Sequence, residues 1–290
     1  MTTGNEHYFV PEPSRWPIIA VVGIFFTLFG VVLAINDVAS GSVVSIFGLA
    51  VLVYLFAGWF GDVIRESRSG SYNGQVDISF RQAMAWFIAS EVFFFAAFFG
   101  SLFYIRTIAI PSLAGEGHLA SSHLLWEGFR DVWPLLMLPD DSAYVPAREA
   151  MGPMGIPLIN TIILLTSGVT ITWAHWGLKA DRRGHLVGGL AVTVALGCIF
   201  LGFQVYEYIH AYEALGLTLK SGVYGSTFYM LTGFHGLHVT MGTIMLVVIL
   251  VRSLRGHFTP KEHFGFEGVA WYWHFVDFVW LGLYLFVYWL

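Results

Sequence analysis

Apolar residues are concentrated in seven long stretches of the chain, which are separated by polar connections. Each stretch has roughly the 20 residues that an α-helix needs to cross the hydrocarbon layer of a membrane. The pattern therefore predicts an all-α, polytopic membrane protein whose single membrane domain covers residues 1–290. The seven predicted spans, numbered I to VII, cover residues 16–35, 43–60, 80–106, 156–178, 185–210, 226–251 and 268–290.

The polar connections between the spans differ greatly in length. A short arm, residues 1–15, precedes span I, and a tight turn at 36–42 joins spans I and II. A long connection, residues 107–155, is rich in proline, glycine and acidic residues. Spans V and VI are rich in glycine, and small residues let membrane helices approach closely. We therefore expect helices III–VII, within residues 80–290, to form one packed bundle, and helices I–II, within residues 16–66, to form a looser pair.

Lysine and arginine are distributed unequally between the two sides of the predicted membrane. Ten of the 14 basic residues lie in the N-terminal arm and in the connections after spans II, IV and VI. Because basic residues accumulate on the cytoplasmic side of membrane proteins, this distribution predicts a cytoplasmic N terminus and a periplasmic C terminus. The arm 1–15 is then on the inner side, and the connection 107–155 is on the outer side.

The composition supports the membrane assignment and excludes several functions. The chain is 57% hydrophobic and 11% charged, whereas soluble domains carry about 25% charged residues. A net charge of −5 without a basic surface excludes nucleic acid as a partner. A single cysteine excludes an internal disulfide, a cysteine-rich metal site and a covalently attached c-type haem.

Glu91 stands alone among about twenty apolar residues of span III. At roughly 1.5 Å per residue it lies about 16 Å from Phe80, near the middle of the hydrocarbon layer. A carboxylate at that depth costs a few kcal/mol or more, so it should face protein or a polar cavity. Three roles remain open for Glu91: a structural hydrogen bond, a part in proton movement, and a contact with a lipid or partner.

Several further polar side chains lie within or near the predicted spans. We expect them to form interhelical hydrogen bonds, which hold membrane bundles modestly well. These residues are His175, Glu207, His210, His235, His238, His274 and Asp277.

Two of these pairs have the spacing of metal ligands. His235 and His238 lie three residues apart on one helical face, which suits a metal better than two stacked haems. Glu207 and His210 match the Glu-x-x-His pattern of di-iron bundles, but the chain has no second copy of it. We therefore predict no metal site. A stand-alone membrane metalloenzyme using these four residues, and a proton or solute carrier with Glu91 as its relay, stay open as alternatives.

Basic residues at the predicted inner ends of spans II and VI have two interpretations. Arg65, Arg252 and Arg255 are typical of the cytoplasmic ends of membrane helices. They also fit a site for anionic lipid headgroups, because basic pockets on the inner face bind such lipids.

Seven short motifs, in the same order along most of the chain, resemble those of subunit III of haem-copper cytochrome c oxidases. Each motif alone is weak, whereas the ordered set is highly specific. The motifs are DVIRES at 62–67, SEV at 90–92, ITWAH at 171–175, GVYGSTF at 222–228, GFHGLHV at 233–239, HFGFE at 263–267 and WYWHFVD at 271–277.

This resemblance implies a fold and a function that spacing alone does not provide. It implies two helix groups, I–II and III–VII, separated by a V-shaped cleft that is filled with structural phospholipid. It implies a chain without haem or copper and without a catalytic centre of its own. Oxygen reduction by electrons from cytochrome c, with the haem and copper, would then lie in partner subunits I and II. The chain would stabilise subunit I and support its proton uptake.

The resemblance also implies roles for individual residues. Glu91 matches the buried carboxylate of the family, Trp59 and Arg65 match positions that line the lipid cleft, and Arg252 matches a headgroup contact. The connection 107–155 is longer than in mitochondrial members. Its length favours the inner (plasma) membrane of a bacterium over the mitochondrial inner membrane.

Overall fold

The structure is a computed structural model that describes residues 12–116, 126, 128–139 and 144–290. The described residues form α-helices and connections without a β-strand. Seven helices are long and apolar enough to cross a membrane, so the prediction of an all-α protein with seven membrane-spanning helices is confirmed. They are α1 (Trp16–Ile35), α2 (Gly41–Arg68), α3 (Gly74–Tyr104), α4 (Ile156–Lys179), α5 (Arg183–Glu213), α6 (Gly222–Leu254) and α7 (Phe264–Leu283).

Several helices extend beyond the apolar stretches that predict them. Helix α2 continues to Arg68, eight residues past the predicted span, and α3 begins at Gly74 rather than at residue 80. Backbone hydrogen bonds within a helix do not depend on a membrane, so a helix continues into water where its side chains are polar. Hydropathy therefore predicts the membrane-crossing part of each helix and not its full length.

The long connection begins later than predicted because α3 continues as a π-helical turn, Ile105–Ala109, and a final α-helical turn, Ile110–Leu113. Pro111 lies in that last turn and has no N–H to donate to the carbonyl four residues earlier, which is a common cause of irregular helix geometry. The connection therefore starts after Leu113. Parts of it, and residues 1–11 of the predicted inner arm, lie outside the described residues.

The chain divides into two compact units, one up to Arg81 and one from Gln82 onwards. In the first unit, α1 and α2 pack along their glycines. A Cβ atom on Gly30 would lie 2.2 Å from the backbone nitrogen of Ser45, and one on Gly48 would lie 2.2 Å from that of Thr27. The two backbones are thus in contact without side chains between them, as small residues allow in membrane helix pairs.

The core of the second unit is formed by residues of α4, α5, α6 and α7. Trp273 and Trp280 are fully buried and lie seven residues apart, on one face of α7. The indole N–H of Trp273 donates to Ser167 Oγ at 2.8 Å, and that of Trp280 donates to Thr161 Oγ1 at 2.9 Å. These two bonds fix the antiparallel register of α4 and α7, because each buried indole has one matching hydroxyl group.

The helices expose large apolar side chains on their outer faces. Examples are Ile18 on α1, Trp86 and Phe93 on α3, and Phe278 on α7. A soluble monomer rarely exposes such large continuous apolar surfaces, and lipid is the environment that they fit. Exposure and helix length therefore agree on a multi-pass membrane protein.

Candidate functional site

The polar pair Glu91 and His238 joins α3 to α6 inside the second unit. Glu91 Oε2 lies 2.9 Å from His238 Nε2, and both side chains are mostly buried. Glu91 lies in the middle of α3, so the local sequence places its carboxyl group between two apolar turns of the helix. The sequence alone does not identify His238 as the partner of Glu91.

The hydrogen bonds of His238 define its protonation at Nδ1. This nitrogen lies 2.7 Å from the carbonyl oxygen of Phe234, one turn earlier on α6. A carbonyl oxygen accepts hydrogen bonds and does not donate them, so Nδ1 carries a hydrogen. In a neutral imidazole the other nitrogen, Nε2, is then an unprotonated acceptor.

A proton must therefore lie between Glu91 and His238. If Nε2 were unprotonated and Glu91 ionised, two lone pairs would face each other at 2.9 Å. The contact becomes a hydrogen bond when Glu91 is a neutral acid that donates to Nε2, or when His238 is an imidazolium that donates to the carboxylate. In both states the pair holds one proton and has no net charge, which reduces the cost of burial in a membrane protein.

Aromatic rings enclose this pair. The rings of Phe95, Phe94 and Tyr272 have their centroids 4.9, 5.8 and 6.4 Å from that of His238. The Tyr272 hydroxyl donates to the carbonyl oxygen of His238 at 3.3 Å. Electrostatic interactions are stronger in such a low-dielectric environment than in water, which strengthens the hydrogen bond between the two side chains.

A second buried carboxyl group lies between α5 and the end of the chain. Glu207 is 1% exposed, and its Oε1 accepts a hydrogen bond of 2.6 Å from the Tyr288 hydroxyl. His235 is completely buried, with Nε2 at 3.2 Å from the carbonyl oxygen of Val276 on α7. His210, in contrast, is exposed on α5, one turn beyond Glu207. These residues are therefore distributed over different contacts and do not converge as metal ligands.

The pair on α7, His274 and Asp277, lines an open groove of about 620 Å³ beside α4. His274 Nε2 lies 3.2 Å from Thr172 Oγ1, and His274 Nδ1 lies 3.9 Å from Asp277 Oδ2. Asp277 is buried against Gly168, the glycine that leaves room for its carboxyl group on α4. The contact between His274 and Thr172 therefore joins α7 to α4, whereas the polar contact of Asp277 with His274 lies within α7.

The four residues predicted to contact lipid lie at helix ends and on an exposed face. On α2, Trp59 is half exposed, and the exposed guanidinium of Arg65 pairs with Asp62, which also accepts a hydrogen bond from the Trp16 indole. On α6, Arg252 lies over the ring of Phe258 at 4.4 Å. Arg255, the residue that follows α6, is exposed.

His175, which the sequence analysis includes among the interhelical polar groups, has partners that the sequence did not indicate. Its Nε2 lies 3.3 Å from Glu267 Oε1, and the same oxygen lies 3.3 Å from His263 Nε2. His263 and Glu267 lie four residues apart at the start of α7, a spacing that places them on one helical face. The spacing of His263 and Glu267 is a signal that the sequence contains. The sequence does not indicate that His175 joins them, because it lies far from both along the chain.

Comparison with known proteins decides the family. The model of the family "Cytochrome c oxidase subunit III" matches residues 6–116 and 141–290. The chain belongs to the cytochrome c oxidase subunit III family. It is 38% identical over 291 residues to cytochrome c oxidase subunit 3 of Marchantia polymorpha, covering all of this chain and 98% of that one. It is also 38% identical over 290 residues to the proteins of that name from Pongo abelii and Rhinoceros unicornis, with 99% of each covered.

Family membership makes the chain a subunit of a respiratory cytochrome c oxidase, in a complex with other oxidase subunits. Two pairs of the motifs that carry the resemblance are in contact in the fold. The motif at 90–92 meets the one at 233–239 through Glu91 and His238, and the motif at 171–175 meets the one at 263–267 through His175 and Glu267. The relatives come from a liverwort and from mammals, so these comparisons do not support a bacterial origin.

Proposed function

We propose that this chain is a non-catalytic subunit of the oxidase that holds a proton-bearing pair, Glu91 and His238, within the membrane and retains phospholipid for its partners. The redox reaction takes place at haem and copper in partner subunits I and II, and the chain itself has no redox cofactor. Its contribution is to stabilise subunit I and to support the proton uptake that accompanies oxygen reduction.

The observation that carries this proposal is the pair of contacts made by His238. Its Nδ1 is committed to the carbonyl of Phe234 at 2.7 Å, so the 2.9 Å contact between Nε2 and Glu91 requires a proton. A buried group that holds a proton in either of two positions is suited to exchange it with a neighbouring pathway. The pair keeps its proton without a buried net charge, which is the condition for a stable site at this depth.

The proposed lipid sites are supported by charge and position. Arg65 is exposed near the end of α2, and Arg255 is exposed at the end of α6. Trp59 presents an aromatic surface three residues before Asp62, as expected for a side chain at the level of lipid headgroups. Arginine binds phosphate with two parallel hydrogen bonds, so Arg65 and Arg255 fit phospholipid headgroups.

Orientation and source membrane are further parts of the proposal. The excess of basic residues places the N terminus and the ends of α2, α4 and α6 on the inner side. The family model leaves residues 117–140 unmatched, which supports an extended outer connection relative to the family pattern. On the basis of this extension, we propose that the protein is located in the plasma membrane of a bacterium.

The substitution Glu91→Gln in the assembled oxidase tests the proton-bearing role. Glutamine has nearly the same shape and its amide donates to His238 Nε2, so the complex should assemble and electron transfer should continue. We expect the infrared signal of one carboxyl group to disappear and proton pumping per electron to fall modestly. Glu213→Gln, an exposed carboxyl group at the end of α5, is the matched control and should leave pumping unchanged.

Two results would contradict the proposal. Unchanged proton pumping per electron in both Glu91→Gln and His238→Gln would restrict the pair to a structural role. Complete loss of electron transfer in an assembled Glu91→Gln oxidase would show that the redox reaction depends directly on this chain.

A further inference from the structure

A cluster of three metal-binding side chains lies where the end of α4 meets the start of α7. It consists of His175, His263 and Glu267, which we call the 175–267 cluster. One ligand atom from each residue lies within 4.8 Å of the other two. Among the described residues this is the one group of three or more histidine, cysteine or carboxyl side chains with that proximity. His263 and Glu267 are buried, and His175 is partly buried.

The tautomer of His263 is determined by its second nitrogen. Nδ1 lies 3.1 Å from the carbonyl oxygen of Thr259, which accepts a hydrogen bond and cannot donate one. Neutral His263 therefore presents an unprotonated Nε2, and this lone pair points at Glu267 Oε1, 3.3 Å away. Metal-bound histidines typically show this arrangement, in which the nitrogen that does not bind the metal donates to a backbone carbonyl.

The carboxylate oxygen of Glu267 is approached by both imidazoles. His175 Nε2 and His263 Nε2 each lie 3.3 Å from Glu267 Oε1. These two separations match the edge of a tetrahedron whose centre is about 2.0 Å from each corner, the distance of zinc from histidine nitrogen and carboxylate oxygen. The ligand atoms of the two histidines lie within 4.8 Å of each other. A cation between the three atoms could be bound by one nitrogen of each imidazole and by the carboxylate oxygen.

We propose that the 175–267 cluster binds a divalent transition-metal ion, with Zn²⁺ as the best match. Two imidazoles and one carboxylate are a common zinc ligand set, and they leave a fourth position for water. Two neutral imidazoles and one carboxylate also leave the bound ion with a net charge of about +1. Such an ion would join the end of α4 to the beginning of α7, which the chain otherwise separates by 84 residues, 180–263.

This proposal departs from the sequence-based expectation of no metal site, and it is independent of the proton-bearing role of Glu91. The candidate ligands in the sequence were Glu207, His210, His235 and His238, selected by spacing within single helices. The 175–267 cluster takes one ligand from α4, one from α7 and one from the residue that precedes α7. No spacing rule within one helix identifies such a set.

Zinc binding to the assembled oxidase tests the proposal. The complex is washed with a chelator, equilibrated with buffered micromolar Zn²⁺, and its metal content is measured by mass spectrometry. We expect one zinc per complex that is absent from His263→Gln, His175→Gln and Glu267→Gln, each of which should lower zinc affinity at least about tenfold. His274→Gln is the matched control, since His274 lies outside the cluster on the same helix and should leave zinc binding unchanged.

X-ray absorption of the unsubstituted complex identifies the atoms bound to zinc directly. This part of the test therefore does not depend on how well the variants assemble. In the unsubstituted complex, the zinc taken up after the chelator wash should have nitrogen and oxygen neighbours at about 2.0–2.1 Å. In the variant His263→Cys, this zinc should gain a sulfur neighbour at about 2.3 Å. The proposal would be overturned if the unsubstituted complex took up no zinc at this concentration. It would also be overturned if all three ligand variants took up as much zinc as the unsubstituted complex.

Discussion

The hydroxyl group of Tyr288 donates to the carboxyl group of Glu207 at 2.6 Å, and both side chains are buried. Tyr288 lies in the π-helical turn Tyr284–Trp289 that follows α7, and Glu207 lies on α5. The bond therefore attaches the C-terminal turn to the bundle. It also provides a hydrogen-bond donor to a carboxyl group that burial would otherwise make costly.

Substitution Tyr288→Phe removes this donor and keeps the ring. We expect a loss of about 1–3 kcal/mol in the free energy of unfolding, because a buried acceptor is left without a partner. Thermal unfolding of the purified complex, followed through this subunit, measures the effect. Tyr206→Phe is the control: Tyr206 is exposed on α5, the helix that carries Glu207, and its substitution should change stability little. Equal stability of both variants would mean that the Tyr288 bond adds nothing.

The contact between α1 and α2 depends on Gly48. A Cβ atom there would lie 2.2 Å from the backbone nitrogen of Thr27, and a backbone atom cannot rotate away. Gly48→Ala should therefore force the helices apart and destabilise the pair by about 1–3 kcal/mol. Gly61→Ala, on the same helix with no atom within 4 Å of its new Cβ, should be neutral or slightly stabilising.

Limited proteolysis of the connection between α1 and α2 would measure this difference. Faster cleavage in Gly48→Ala than in Gly61→Ala is the expected result. If both variants are cleaved at the rate of the unsubstituted protein, then α1 and α2 are not in close backbone contact.

The proposed lipid contacts predict a change in bound lipid. Replacement of both Arg65 and Arg252 by alanine should reduce the anionic phospholipid that remains with the purified complex, because two phosphate-binding groups are lost. Native mass spectrometry of the complex counts the retained lipids. Lys261→Ala, at an exposed basic residue before α7, is the control for non-specific attraction and is compared with each single arginine variant, which removes the same charge. Retention of the same lipids in the double variant would place the lipid site elsewhere.

Much of the fold could be predicted from hydropathy, and the contacts of the polar residues could not. Each span is long enough to be recognised by itself, since a helix in a membrane satisfies its backbone internally. The extents of α2 and α3 differed from prediction because their ends carry polar residues that contribute nothing to the apolar pattern. The isolated position of Glu91 was evident from the sequence, whereas its partner His238 lies 147 residues away and required the structure.

The amino-acid sequence alone determined that this protein crosses a membrane seven times, has Glu91 near the centre of a span, and resembles the cytochrome c oxidase subunit III family. Only the tertiary structure decided which polar groups meet: Glu91 with His238, Glu207 with Tyr288, and His175 with His263 and Glu267. The physical reason is that the length of an apolar stretch depends only on residues that are neighbours along the chain. The pairing of buried polar groups depends on how separate helices pack and rotate against each other.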